Sequence, residues 1–437
     1  MSRGRCSADR CEGPFVTPPS PSLAELTRVF LRIGLLSFGG PAAQIALMHR
    51  ELVEERPWLS EQEYLRALSF CMLLPGPEAM QLATFAGWRL HGLTGGLIAG
   101  GLFVLPGALV IFALAFAYGA FIDMALVQAL FLGVKATVVV IVVEAILRVA
   151  KRALRSRDHW VLAGLAFVAL FLFAVPFPLV VLAAGLYGAL TAGTAPRDLA
   201  PPRLDPRTLA VTLTAGLLLW WTPVALTALA GQGFLTDLGL FFSKLAVVTF
   251  GGAYAVLSYM AQEVVNAYRW VGTAQLMDAL GLAETTPGPL ILVTAFVAIV
   301  AGLNQGSVAL GLAGGLMALW VTFVPCFLWI FAGAPLVDWI AGQPRLRAAL
   351  SAITAAVVGV ILNLSVWFAL HVLFTEAPTV QAGPFTTAVP VWSTFQPVAA
   401  ALAAVAGWLL LRRHVGMVPT LGIVATLAVL LHLAGLA

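Results

Sequence analysis

Two sets of residues able to handle an anion inside a membrane occur twice in this chain, at one fixed spacing. Phe38-Gly39-Gly40 recurs 212 positions later as Phe250-Gly251-Gly252, and Pro75-Gly76-Pro77 recurs at the same spacing as Pro287-Gly288-Pro289. Between them Met48, Glu51, Val53, Trp58, Ala67 and Leu68 return as Met260, Glu263, Val265, Trp270, Ala279 and Leu280, without insertion or deletion. Proline removes a backbone donor and clashes with the preceding turn, so Pro-Gly-Pro interrupts a helix. Proline also suits the first position of a new helix, and the free amides of such an N-terminus bind anions. Paired Gly/Pro-broken apolar segments in two halves of a chain point to a transporter binding site. The competing explanation is an old duplication whose glycines and prolines only pack or kink helices.

Charged residues lie close to these breaks. Arg32 and Lys244 each stand six residues before their Phe-Gly-Gly, roughly 9 Å along a helix axis. Charges inside a membrane line a cavity, pair with one another or snorkel to an interface. Glu78 follows the first Pro-Gly-Pro and Glu284 precedes the second, as proton carriers or as structural caps of half-helices. Ser37, Thr249, Thr285, Thr286 and Gln81 supply neutral donors that suit oxyanion coordination and equally suit helix packing. Lys135 is a third intramembrane cation; Glu144, nine residues on, is out of reach along one helix.

The elements that must position these residues are membrane helices. The chain has 437 residues, 61% hydrophobic and 10% charged, against roughly 25% charged in soluble domains. Apolar runs repeatedly reach the roughly 20 residues that cross a bilayer, and the alternation of a transmembrane β-barrel is absent. The expected fold is therefore an all-α polytopic membrane protein of about 13 transmembrane helices in two inverted-topology repeats with broken helices. The broken spans fall near 25–48, 64–88, 239–262 and 272–302. The expected organisation is a disordered cytoplasmic tail (1–22), repeat 1 (23–157), a three-span connector (158–230), repeat 2 (231–372), then an external loop and two C-terminal spans (373–437).

Charge sets the expected topology. With the N-terminus inside, eighteen of the 24 Lys and Arg residues fall at cytoplasmic segments, Arg269 among them. Arg50, Arg56 and Arg66 fall outside, and the C-terminus is periplasmic. Residues 1–22 carry arginines and prolines without the apolar core of a signal peptide. The four cysteines form no CxxC pair, no histidine sits at metal-ligand spacing, and no phosphate-binding GxxxxGK[ST] occurs. These absences exclude a cofactor, a metal site, an ATP-driven pump and an intramembrane enzyme from the expected functions. Nothing in the charge pattern points to nucleic acid. An anion-handling secondary transporter is expected, with a passive anion channel as the alternative.

The same residues resemble a known family. Phe30-Leu31-Arg32-Ile33-Gly34, Ser37-Phe38-Gly39-Gly40-Pro41, Glu51-Leu52-Val53, Trp58-Leu59-Ser60, Leu74-Pro75-Gly76-Pro77-Glu78, Gln81-Leu82-Ala83, Gly87 and Phe103-Val104-Leu105-Pro106-Gly107 are similar to chromate ion transporters. So are Thr249-Phe250-Gly251-Gly252 and Glu284-Thr285-Thr286-Pro287-Gly288-Pro289, and together they match the two-domain, long-chain form. The resemblance implies a bacterial inner-membrane protein that exports chromate and confers chromate resistance, with sulfate a related oxyanion and no cofactor. The family often carries lysine where this chain has Arg32, which keeps the charge and changes donor geometry. One chain holds both repeats and can form a complete site alone or in a homodimer.

Overall fold

The computed structural model describes residues 21–38, 40–193, 205–250, 253–341, 343–383 and 385–436. The expected tail therefore lies almost wholly outside the described residues. What is described is helical apart from one short antiparallel hairpin, β1 (Thr379–Ala382) and β2 (Phe385–Ala388). This is an all-α membrane protein: five helices are long and apolar enough to cross a bilayer, and shorter apolar helices accompany them.

The broken segments are pairs of half-length helices. In the first half α1 (Leu23–Leu36) meets α2 (Gly40–His49), and α3 (Glu61–Cys71) meets the start of α4 (Glu78–Phe121). In the second half α9 (Gly233–Val248) meets α10 (Ala253–Gln262), and α11 (Thr273–Thr285) meets α12 (Val293–Asn304). A fourteen-residue helix is about 21 Å long, short of the roughly 30 Å hydrocarbon core. Both α2 and α10 end in a single π turn, Arg50–Glu54 and Glu263–Ala267. Ser60 caps α3 in a reciprocal box with Glu63, and Gln275 accepts from the Gly272 amide at the same place in α11.

Each pair returns to the face from which it entered. Phe234, at the start of α9, packs edge-on against Trp270 beyond α10, and Asn304, at the end of α12, donates to the Trp270 carbonyl. In the first half His91 bonds the Pro21 carbonyl and Arg89 reaches Glu63. The sequence led us to expect each of these segments to cross the membrane, with Arg50, Arg56 and Arg66 alone on the far side. Instead the 49–60 turn shares a face with Arg148 and Arg152, because His49, Glu54 and Glu61 line one cavity with them. Arg269 adjoins Trp270, which packs against Phe234 at the start of α9. Hydropathy registers an apolar run and cannot distinguish a crossing from a hairpin of the same length.

After each set of half-helices comes a tight turn and a long helix. Within α4 the backbone leaves helical geometry at His91 and Gly92, and the rest of α4 runs back along its own beginning. A Cβ on Gly87 would meet the Gly95 carbonyl at 2.2 Å, so the two strokes touch backbone to backbone. The same contact recurs between α12 and α13 (Val308–Gly333), where Gly302 abuts Gly311.

The remaining long helices exchange partners. From α5 (Ala125–Ala153) the chain continues into α6 (Arg157–Phe171) and α7 (Phe177–Thr191), which both pack on α15 (Pro344–Leu373). From α15, past the β-hairpin, it continues into α16 (Pro397–Gly407) and α17 (Met417–Leu433), which both pack on α5. The helices α5 and α15 also pack on each other. Between these two sets, α8 (Pro206–Leu229) lies against α9 and α13, and α14 (Val337–Ala341) against α3.

Candidate functional site

The four breaks are joined in two pairs, and each pair bonds one half of the chain to the other. The Gly76 amide donates to the Thr249 carbonyl at 2.8 Å, and the Gly288 amide donates to the Ser37 carbonyl at 2.9 Å. These are the same two positions in each half, exchanged. Both glycines hold left-handed backbone, φ 121° and 89°, which L side chains rarely adopt. A Cβ at Gly107 would lie 2.2 Å from the Pro287 carbonyl, so α4 leaves room for the second break.

Helices α2, α4, α10 and α12 each begin beside a break, so their positive dipole ends face it. Each such end is equivalent to roughly half a positive charge. Helix α4 starts at Glu78, with Pro77 at its N-cap position and no side-chain cap. Irregular backbone at this depth is tolerated only where protein or water covers it. Here Gln44 covers part of it: its Nε2 donates to the Gly288 carbonyl at 2.7 Å and to the Ser37 carbonyl at 3.2 Å. Gln81 Nε2 donates to the Pro75 carbonyl at 2.7 Å, while its buried Oε1 has no hydrogen-bond partner among the described residues.

The hydroxyls near the breaks are turned to their own helices. Ser37 Oγ donates to the Ile33 carbonyl and Thr249 Oγ1 to that of Leu245, while Thr285 and Thr286 cap the last turn of α11 through Leu282 and Ala283. Phe38 is half-exposed and Phe250 partly buried, and Pro75, Pro77, Pro287 and Pro289 flank the two bonded glycines. Gly40 opens α2 with a positive φ; Gly39, Gly251 and Gly252 lie outside the described residues.

The two equivalent cations have different settings. Arg32 Nε sits 3.4 Å from Oε1 of the buried Glu51, whose other oxygen accepts from Arg56 at 2.5 Å. Lys244 Nζ lies over the Tyr259 ring, 5.2 Å from its centre. Among the described residues, neither cation bonds to a break. Lys135 is farther off, paired with Asp278 on α11.

Two cavities flank the equivalent helices α2 and α10. One, about 510 Å³, reaches from His49, Glu54 and Glu61 past Arg148 and Arg152 to Pro41 and Glu78. The other, about 300 Å³, lies between α10 and α15 and is lined by Ser258, Gln262, Glu263, Asn266 and Asn363. Glu284 faces a third, about 300 Å³, that also contains Glu144, Arg148 and His414. At the first mouth, His49 bonds Glu61 and Glu54, which raises its proton affinity despite slight burial. Glu63 is held below its ordinary carboxylate value: burial works against this, and bonds from Ser60 and Arg89 outweigh it.

The sequence reading missed Gln44, Glu51, Asp278 and Tyr118. Glu51 had a signal, since it recurs as Glu263. Gln44 and Asp278 are single polar residues in apolar runs, and only a partner 244 residues away in sequence reveals the role of Gln44.

The family model for chromate transporters matches residues 24–189 and 236–435, most of the chain. The chain belongs to the chromate transporter family. Relatives in the family include the chromate transport protein of Pseudomonas aeruginosa, 35% identical over 349 residues, 79% of this chain and 80% of that one. The chromate transport protein of Cupriavidus metallidurans is 31% identical over 357 residues, 80% of this chain and 83% of its own length. An uncharacterized transporter of Bacillus subtilis, 28% identical over 169 residues, is covered over 94% of its length by 38% of this chain. These family members are transport proteins, not enzymes. No solved structure matches.

Proposed function

We propose that this chain exports chromate from the cytoplasm as a secondary transporter, through a central site made by the four half-helix N-termini and their cross-bonded breaks. The observation that carries the proposal is the exchanged pair of bonds, Gly76 to Thr249 and Gly288 to Ser37. It brings four positive helix ends to one depth, where an oxyanion can take free amides in place of water. Arg32, Lys244 and Gln81 supplement that field; the names of the Pseudomonas and Cupriavidus relatives supply chromate as the substrate. Sulfate, of the same shape and charge, is the competing oxyanion.

The equivalent elements support two repeats of opposite orientation. The exchanged packing of α6 and α7 on α15 and of α16 and α17 on α5 supports drawing them larger than sequence suggested, to about residues 191 and 433. With the arginine-rich face inside, the N-terminus is cytoplasmic and the C-terminus external. A cell interior 100 mV negative then favours export of a dianion by roughly 4.6 kcal/mol, so export and resistance follow without ATP.

Chromate flux into sealed inverted membrane vesicles, with potential and pH gradient imposed separately, tests this. Saturable uptake driven by interior-positive potential and competed by sulfate is expected. Sealed vesicles that move no chromate, or move it without saturation, overturn it.

A further inference from the structure

We propose that Asp278 is the proton-binding group of the transport cycle, with Lys135 as its charge partner, at a coupling site separate from the central breaks. This rests on the transport function proposed above and adds its coupling ion.

The Asp278 side chain is 3% exposed. Three helices converge on it: its own α11, α5 through Lys135, and α4 through Tyr118. Tyr118 donates its hydroxyl to Oδ2 at 2.9 Å, and Lys135 Nζ stands 3.1 Å from Oδ1. That second contact is a charge pairing without hydrogen-bond alignment, so Oδ1 keeps an acceptor position unfilled among the described residues. Lys135 in turn lines a cavity of about 650 Å³ on the face opposite the arginines, with Thr273, His371, Thr375, Glu376 and Gln396. The titratable groups facing Asp278 are thus Lys135 and Tyr118, with His371 and Glu376 across the cavity and Asp123 near Tyr118.

A buried ion pair is weak evidence for stability, so its use is to be sought elsewhere. Its placement suggests one. Asp278 precedes the second break on the same half-helix, about 12 Å along the axis from Thr286. Lys135 belongs to α5, which spans the whole bilayer and packs against α15, α16 and α17. The pair therefore ties a half-helix of the site to the frame around it. The central bonds repeat in both halves, whereas this pair does not: the residue equivalent to Asp278 is Arg66.

The step is a simple proton transfer. A proton from cavity water enters on Oδ1, the carboxylate becomes neutral, and its Coulomb tie to Lys135 is lost while the ammonium keeps its charge. Freed of that tie, α11 can shift with the Pro287-Gly288-Pro289 break, and the proton leaves when the pair re-forms. No other reactant is consumed.

The test uses the full-length protein in sealed proteoliposomes holding a pH-sensitive dye, with a chromate gradient and a separately clamped potential. Wild type should move protons with chromate. Asp278→Asn should keep potential-driven chromate flux and lose the dye signal. Lys135→Gln should keep coupling and move the pH midpoint of flux upward by about one unit, since loss of the nearby cation favours the neutral carboxyl. Proton movement that survives in Asp278→Asn, chromate flux without protons in wild type, or an unmoved midpoint in Lys135→Gln overturns the proposal. Wild type that moves no chromate removes the transport function itself, a result distinct from flux without protons.

Discussion

The amide of Gly76 and the carbonyl of Thr249 lie 2.8 Å apart across 173 residues of chain, and the equivalent residues Gly288 and Ser37 repeat the bond at 2.9 Å. Each break therefore satisfies the polar backbone of its counterpart. An unpaired backbone group at this depth costs several kcal/mol, so neither half is complete alone. The two glycines donate these bonds, and in the site proposed above they also line it.

Gly76→Ala should be the more damaging of the two glycine substitutions. At both positions the backbone conformation costs an L side chain about 1–3 kcal/mol. At Gly76 a Cβ would also lie 2.8 Å from Cys326 Sγ and Gln81 Nε2, while at Gly288 the nearest atom, Leu292 Cδ1, is 3.0 Å away on a flexible side chain. Chromate flux should be lost in Gly76→Ala and reduced in Gly288→Ala, with melting temperatures in detergent falling in the same order. Equal effects would mean that space around the first break does not limit it.

Arg32→Ala should abolish chromate flux, and adding Glu51→Gln should not restore it. Glu51 is wholly buried, so its charge must be matched, but Arg56 at 2.5 Å already does this from the more enclosed position. Half-exposed Arg32, at 3.4 Å, is the partner that Glu51 can spare. Losing both arginines should destabilise the protein by about 3–5 kcal/mol, the scale for an uncompensated buried charge. Vesicle flux and melting temperature read the two effects separately; recovery of flux in the double variant would make Arg32 a counter-charge only.

Both breaks were legible in the sequence because glycine and proline act locally, on φ and on one backbone donor, wherever they stand. Helix existence was legible too, since twenty apolar residues have few alternatives. The return of α1–α2 and α9–α10 to the face of entry was not, because it depends on contacts such as Phe234 with Trp270 and His91 with Pro21. For the same reason the 49–60 turn was set apart from Arg148 and Arg152, with which it lines one cavity. The pairing of Lys135 with Asp278 was hidden because 142 residues lie between them and they stand on different helices.

Gln44→Val should loosen the site from one side. Its amide bridges two carbonyls, those of Ser37 and Gly288, whereas the second half has Val256 in its place and needs no such bridge. Removing it leaves a buried carbonyl short of a donor, at about 1–3 kcal/mol. Flux should fall and the apparent affinity for chromate weaken, while Gln44→Glu, which adds a negative charge at the anion site, should eliminate flux. Unchanged affinity in Gln44→Val would show that the Gly288 amide bond to Ser37 holds the break unaided.

His49 should make stability depend on pH. Its Nε2 lies 2.7 Å from Glu61 and its Nδ1 3.0 Å from Glu54, at the aqueous mouth of the larger cavity. The bond to Glu61 is the main cause of its raised proton affinity, with Glu54 adding to it. A group whose folded value is raised contributes stability that is fully present below its unfolded value, near 6.5, and lost as pH rises through the folded value. The melting temperature of wild type should therefore exceed that of His49→Gln at pH 5.5, with the gap closing as pH rises above 7. A gap that stayed constant across that range would mean that His49 holds the turn as a neutral ring, and that the α2 and α3 ends are joined without its charge.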